Sequence, residues 1–339
     1  MSTSKKVLVT GASGTVGSEV VKQLCEKNDN IEITVFDKKN KNSERFFSKI
    51  SKRVKVIYGD ISNKEDVCNA CKNQDVVIHL AAIIPPLADK QPQLANKVNV
   101  IGTKNLIECL EEFSPKVFFL YASSISVYGD RIKNPWIKVT DDLKPSDRDE
   151  YGLTKIEAEK LVTNSELNWS IFRLTAIMGA GNHKASGIMF HMPLETKMEI
   201  ATPYDAARAF VHAVNHLDEL NKNIYNLSGG EKCRISYQEF LSSTFKLFGL
   251  GDLDFQENSF AKRNFHCGYY EDVDKLHQIL DFRRVTIDDY FRYVKESVSP
   301  FQKVAASVFK KMVKKSLQKQ SEPLAAIKNK NETDLKHYF

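Results

Sequence analysis

Val7-Leu8-Val9-Thr10-Gly11-Ala12-Ser13-Gly14-Thr15-Val16-Gly17 joins a short β-branched run to a helix through a glycine-rich turn. Gly11, Gly14 and Gly17 allow a tight turn, close approach of the backbone to an anionic group, and close helix-on-strand packing. The helix N-terminus favours that anion. Outward from this turn, apolar and β-branched runs predict strands over 6–10, 31–36, 53–58, 76–81, 117–122 and 169–174. Between them the spacing predicts helices over 15–27, 64–72, 93–112 and 150–164. Strands alternating with helices make an α/β, doubly wound parallel sheet, whose ligands bind at the carboxyl ends of the strands.

The first expected helix is followed by a strand ending at Phe36-Asp37. A carboxylate at that place accepts hydrogen bonds from ribose hydroxyls and repels a 2′-phosphate, so NAD is expected over NADP. Lys38 and Lys39 follow directly and offer the opposite charge. Asp60, ending the third strand beside Ile61, is placed to reach an adenine edge, or is a plain turn aspartate. On this reading residues 1–175 form an NAD-binding Rossmann domain, to which 203–228 return. Segments 176–202 and 229–298 form a smaller substrate lobe.

Tyr151 and Lys155 stand at i and i+4, on one helix face. A phenol is a poor base at neutral pH, but a nearby cation favours the phenolate and lets it exchange a proton with a hydroxyl. Before them, Ser123, Ser124 and Ser126 present hydroxyls at the end of the fifth strand.

This ordered set resembles the NAD-dependent epimerase/dehydratase family of the extended short-chain dehydrogenase/reductase superfamily, over roughly residues 5–298. The resemblance rests on the glycine turn, Asp37, Asp60, His79-Leu80-Ala81-Ala82, Asn99, the serines before Val127-Tyr128-Gly129, and Tyr151 with Lys155. Arg173-Leu174, Asp205 and Tyr225-Asn226-Leu227 fit as well. It implies that Ser124 hydrogen-bonds the reacting oxygen, Tyr151 transfers its proton, Lys155 holds the nicotinamide ribose, and hydride passes to the nicotinamide. Ser123 and Ser126 are secondary substrate contacts. Leu80, Ala81, Ala82 and Asn99 are implied to support the cofactor pocket beside Ser13, Thr15 and Val16, although Asn99 also reads as a helix residue bonding nearby backbone.

The chain departs from the family at several places. The Asp-Glu pair of 4,6-dehydratases is replaced by Ile125-Ser126, which disfavours that elimination. Ala176 stands where nucleotide-sugar epimerases carry an asparagine, and Met198 where a phosphate-binding arginine is expected, with Lys197 as its substitute. The stretch from Arg173 to Asp205 is short, so the lid over a nucleotide diphosphate is reduced. The expected substrate is a small molecule with a secondary hydroxyl or ketone. The enzyme is then an epimerase, with nucleotide sugars the substrate class the resemblance implies, or a dehydrogenase or ketone reductase on a smaller substrate. A sensor or scaffold that binds NAD without catalysis is the remaining alternative.

Composition sets the frame. The 339 residues are 42% hydrophobic and 27% charged, as in a globular protein with a substantial core. No apolar run is long enough to span a membrane or serve as a signal-peptide core, so a cytoplasmic location is expected. Six scattered cysteines fit a reducing compartment, and Cys68-x-x-Cys71, without a second pair or a histidine at finger-like spacing, predicts no metal site. His183 and His191 flank Gly187 and read as loop histidines. From Pro300 onward nine lysines face Glu322, Glu332 and Asp334, which accounts for the whole net charge of +6. The remaining body is neutral, with no basic face for nucleic acid.

That tail, 299–339, carries an apolar helical stripe at Phe301, Val304, Ala305, Val308, Phe309, Met312, Val313 and Leu317, with lysines around it. Over 301–319 it reads as a helix docked on its own domain or a partner subunit, as an interfacial helix drawn to anionic lipid, or as a site for an acidic protein. Beyond Pro323 the composition predicts disorder. A homodimer is a family-level expectation.

Overall fold

The computed structural model describes residues 4–27, 30–50, 52–179 and 185–339. Seven strands form the central sheet: β1 (Lys5–Thr10), β2 (Ile31–Asp37), β3 (Val54–Tyr58), β4 (Val76–His79), β5 (Phe118–Ser124), β6 (Asn168–Leu174) and β7 (Asn223–Leu227). All pair in parallel in the order β3-β2-β1-β4-β5-β6-β7. The central strands are continuous apolar runs because both faces are covered; every residue of β4 and β5 is buried. Sheet neighbours β1 and β4 are separated in sequence by β2 and β3, so a crevice opens at the carboxyl ends where the winding reverses.

One face carries α1 (Thr15–Glu26) with α6 (Pro203–Ala213); α2 (Lys41–Phe47) contributes Phe47 to the same core. The other carries α3 (Lys64–Ala70), α4 (Gly102–Phe113) and α5 (Glu150–Thr163). The helix expected over 93–112 is a composite: Pro92–Ala95, a π-helical turn at Asn96–Ile101, then α4. A third core lies off the sheet, built from Phe190, Met198, Ile200, Phe245, Tyr290 and Val294 among others. It includes α7 (Tyr237–Leu247), α8 (Ile287–Ser297) and a small antiparallel pairing of Lys197–Glu199 with Arg234–Ser236.

Two sequence expectations are corrected here. Cys68 on α3 and Cys109 on α4 form a disulfide across 41 residues of sequence, against the expectation of reduced, scattered thiols. The two helices become neighbours only through the fold, which linear spacing does not reveal. Beyond Pro323, where the composition predicts disorder, the chain forms α11 (Glu322–Lys328) and α12 (Glu332–Tyr338), preceded by α9 (Pro300–Val308) and α10 (Lys310–Gln318). Ser321 and Asn331 cap α11 and α12, and Leu324, Ala326 and Tyr338 are buried. No helix is long and apolar enough to cross a membrane, among the described residues.

Candidate active site

The glycine turn closes as expected. Gly11 has φ +66°, and a Cβ there would lie 2.6 Å from the Ala81 nitrogen. A Cβ on Gly17 would run into the Gly11 carbonyl, so these two glycines seat α1 against the sheet. Gly14 differs: a Cβ there would meet only the Gly11 oxygen of its own turn, at 3.1 Å, and the residue is exposed. Gly14 is the N-cap of α1, and no side chain caps that helix. An exposed glycine and an uncapped helix start, with Thr15 exposed and Val16 half-buried beside them, fit a bound pyrophosphate.

Asp37 ends β2 beside this turn. Its carboxylate accepts from the Ser13 amide and from the Lys38 amide, both at 2.7 Å. The Lys38 ammonium lies 3.6 Å from Asp60, and Lys39 lies 3.6 Å from Glu44. Both lysines that could favour a 2′-phosphate therefore face carboxylates. Ser62 bonds to Asp60 hold its carboxyl below the ordinary range, so it remains an anion at the end of β3. Ile61 is buried, and a Cβ on Gly102 would stand 2.7 Å from it.

A buried polar chain links the ends of β1 and β4 to α5, which carries Tyr151 and Lys155. Thr103 donates to the Asn99 carbonyl at 2.6 Å, so it accepts from His79 Nε2 at 2.9 Å. His79 Nδ1 then accepts from the Thr10 hydroxyl at 2.7 Å. Burial, with the Lys155 charge second, pushes the imidazole down to about 3, so this histidine is a neutral connector. The Asn99 side chain accepts from the Ile83 amide (2.8 Å) and donates to the Ile83 carbonyl (3.0 Å) and to Thr154 (3.0 Å). It thus ties the half-buried strip Leu80, Ala81, Ala82 and Ile83 to α5.

At the end of β5, Ser124 faces the first turn of α5. Its hydroxyl accepts from the Ser126 hydroxyl at 3.0 Å. Burial raises the Tyr151 phenol well above its ordinary range; the Ser124 hydrogen bond opposes this and Asp149 adds to it. The Lys155 ammonium sits 5.7 Å from the Tyr151 ring centroid and 4.8 Å from that of Tyr121, donating to the Ala122 carbonyl at 2.7 Å. Burial pulls Lys155 down to about 7, against the opposing pull of Glu159. The protein alone therefore does not supply a phenolate. A further positive charge beside the phenol would favour its ionised form, and the oxidised nicotinamide expected from the sequence carries one.

Ser123 does not join this group. Its hydroxyl donates instead to Glu159, two turns further along α5, at 2.5 Å. Glu159 in turn holds Arg173 in a buried ion pair at 2.7 Å. Arg173 also donates to Tyr128 (2.8 Å), whose hydroxyl reaches Asn226 (2.7 Å). Asp205 is likewise architectural, accepting from the amides of Arg284 and Val285. Ala176 is half-buried against the third core, Met198 is fully buried within it, and Lys197 is exposed. His191 lies 3.2 Å from Glu322; His183 lies outside the described residues. No cluster able to hold a metal occurs among the described residues.

Sequence reading missed Asp149 and His266. Asp149 caps α5 through the Gly152 amide at 2.7 Å, and His266 Nδ1 stands 2.9 Å from its other oxygen. An aspartate just ahead of the helix was a readable cap signal. The histidine, 117 residues away, carried none.

The model of the NAD dependent epimerase/dehydratase family matches residues 7–228. UDP-glucose 4-epimerase of Vibrio cholerae is 34% identical over 186 residues, 52% of this chain and 53% of that protein. The 3 beta-hydroxysteroid dehydrogenase type 7 of Mus musculus is 30% identical over 159 residues, 46% of this chain and 43% of that one. The chain thus spans about half the length of the curated relatives it matches. The structure of UDP-glucuronic acid 4-epimerase from Bacillus cereus, in complex with UDP-glucuronic acid and NAD, superposes with TM-score 0.69 at 24% identity. That alignment covers 86% of this chain and 99% of that one, and shows a shared fold.

Proposed function

This chain belongs to the NAD dependent epimerase/dehydratase family, and we propose that it oxidises a secondary hydroxyl to a ketone through Ser124, Tyr151 and Lys155. The observation that carries this reading is the meeting of those three side chains at the carboxyl edge of the sheet, on the same edge as the glycine turn and Asp37. NAD supplies the hydride acceptor when bound. Gly14 and the start of α1 would hold its pyrophosphate, Asp37 the ribose, and Lys155 the ribose nearer the reacting end.

Ser124 donates to the substrate oxygen and fixes it against the Tyr151 phenol. Tyr151 takes the hydroxyl proton as the ketone forms and returns it when the ketone is reduced. Lys155 lends positive charge to the phenol while it is ionised. Asn99 and Asp149 keep the first turn of α5 in place, one from the cofactor side and one from the cap.

If the hydride returns to the opposite face of the same ketone, the reaction is an epimerisation and the cofactor stays bound. The epimerases among the relatives support nucleotide sugars as the substrate class. A second reading, dehydrogenation or ketone reduction of a smaller substrate, is supported by Met198: the side chain at the expected phosphate-binding position lies wholly in the small-lobe core. Nucleotide released by denaturing the extensively dialysed protein separates them. Near one NAD(H) per chain is the outcome for an epimerase; an empty site that binds added NAD is the outcome for a dehydrogenase. Tyr151→Phe should lower turnover by about 10²–10⁴-fold with NAD affinity unchanged. Full activity in that variant would remove Tyr151 from the mechanism.

A further inference from the structure

Helices α9 and α10 have two faces with different neighbours. Inward, Ala306, Val313 and Leu317 pack on the third core. Lys314 is turned in with them, donating to the Asp252 carbonyl at 2.6 Å and pairing with Asp254. The Ser321 hydroxyl, just past α10, anchors on the Ser259 carbonyl at 2.6 Å. These contacts fix the rotation of the pair and account for only part of its apolar stripe.

Outward stand Phe301 (82% exposed), Val304 (63%), Val308 (70%), Phe309 (53%) and Met312 (64%). They run as one ridge across the junction of the helices at Phe309. From Pro300 to Gln320 the chain has six lysines and no acidic residue. Five of them, Lys303, Lys310, Lys311, Lys315 and Lys319, are exposed, and none enters an ion pair among the described residues. Exposed apolar side chains of this size, contiguous and ringed by unpaired cations, mark an interaction surface.

We propose that this ridge docks the protein on an anionic lipid surface, with the five apolar side chains entering the interface and the lysines meeting lipid headgroups. The charge selects the occupant. A second copy packed ridge to ridge would bring two sets of lysines together with no acid between them. Side chains left this exposed also suit a partner that yields around them, as acyl chains do, and basic amphipathic helices bind such surfaces by combining apolar burial with electrostatic attraction. Neither helix is a membrane span. The inference is independent of the reaction assigned above.

The test uses the full chain with vesicles of phosphatidylcholine alone or mixed with phosphatidylglycerol, followed by co-sedimentation. The protein should sediment with the mixed vesicles, not with phosphatidylcholine alone, and should release as salt rises. The variants F301S/V308S/M312S and K310E/K311E/K315E should each weaken binding about tenfold or more. Turnover and thermal melting in free solution should match wild type, because every altered side chain is exposed. Absent binding to mixed vesicles, or binding that both variants leave intact, would overturn the proposal. So would a dimer in light scattering that the apolar variant converts to monomer, or retention on polyglutamate equal to that on vesicles and indifferent to the apolar variant.

Discussion

Lys155 is nearly inaccessible to water, and that burial makes its protonation a property of the fold. In the folded chain it releases its proton near pH 7; unfolded, it holds the proton to about 10.5. Between those values the unfolded chain binds more protons, so stability rises with pH across that window. Below pH 7 both forms are charged and the full cost of burying the ammonium persists. Lys155→Met removes the group. Urea denaturation at neutral pH and near pH 9 should show wild type gaining on the variant by up to about 1.4 kcal/mol per pH unit. A constant difference would mean the ammonium is not desolvated as the packing against Tyr121 and Ala122 indicates. The same residue shows what a motif conveys: spacing placed Tyr151 and Lys155 on one face, but not the burial that raises the phenol and lowers the amine.

Among elements, the seat of α1 on β1 gives a paired prediction. Gly17→Ala puts a methyl group into the Gly11 carbonyl and 2.9 Å from the Ala12 Cα, both backbone and unable to swing away. It should cost about 1–3 kcal/mol of stability and carry NAD affinity down with it. Gly14→Ala meets only the Gly11 oxygen at 3.1 Å, so the melting temperature should hold while NAD affinity falls, because the methyl faces the anion's approach. Calorimetric titration with NAD beside thermal melts reads both quantities; equal behaviour of the two variants would contradict the division between packing glycine and binding glycine. Strands β1, β4 and β5 were legible because each is built on a buried apolar run, Val7-Leu8-Val9, Val76-Val77-Ile78 and Phe118-Phe119-Leu120. Strand β7, Asn-Ile-Tyr-Asn-Leu, escapes a reading of that kind: it is short and at the sheet edge, with its first residue exposed and the next two half-buried. The chain Thr10–His79–Thr103–Asn99 was equally hidden, since separate elements must assemble before it exists.

At the scale of the whole molecule, the polar composition of the tail concealed its role. Helix α12 spends few apolar residues, but they are placed on one side: Leu335, Tyr338 and Phe339 meet Ala261 and Ala326 in a small core. The Tyr338 hydroxyl donates to Glu322 at 2.8 Å, and the Tyr338 carbonyl accepts from the Lys262 amide at 2.7 Å. Polar contacts extend this clamp to the segment leading into α5. Arg148 pairs with Asp334 at 2.9 Å, His337 lies 3.2 Å from Asp147, and Asn264 bridges Asp147 and His337. Asp149, the cap of α5, is the next residue after Arg148, and Tyr151 lies in the first turn beyond it. Removing residues 331–339 should therefore lower stability by about 1–3 kcal/mol through the lost apolar burial. It should also reduce kcat severalfold, while NAD affinity, which on the proposed reading rests mainly on the distant glycine turn and Asp37, stays unchanged. Turnover and NAD titration on the shortened chain, held well below its melting temperature, check this. An unchanged kcat would confine α12 to covering the core, and a parallel loss of NAD affinity would mean that its removal disturbs the entire sheet edge.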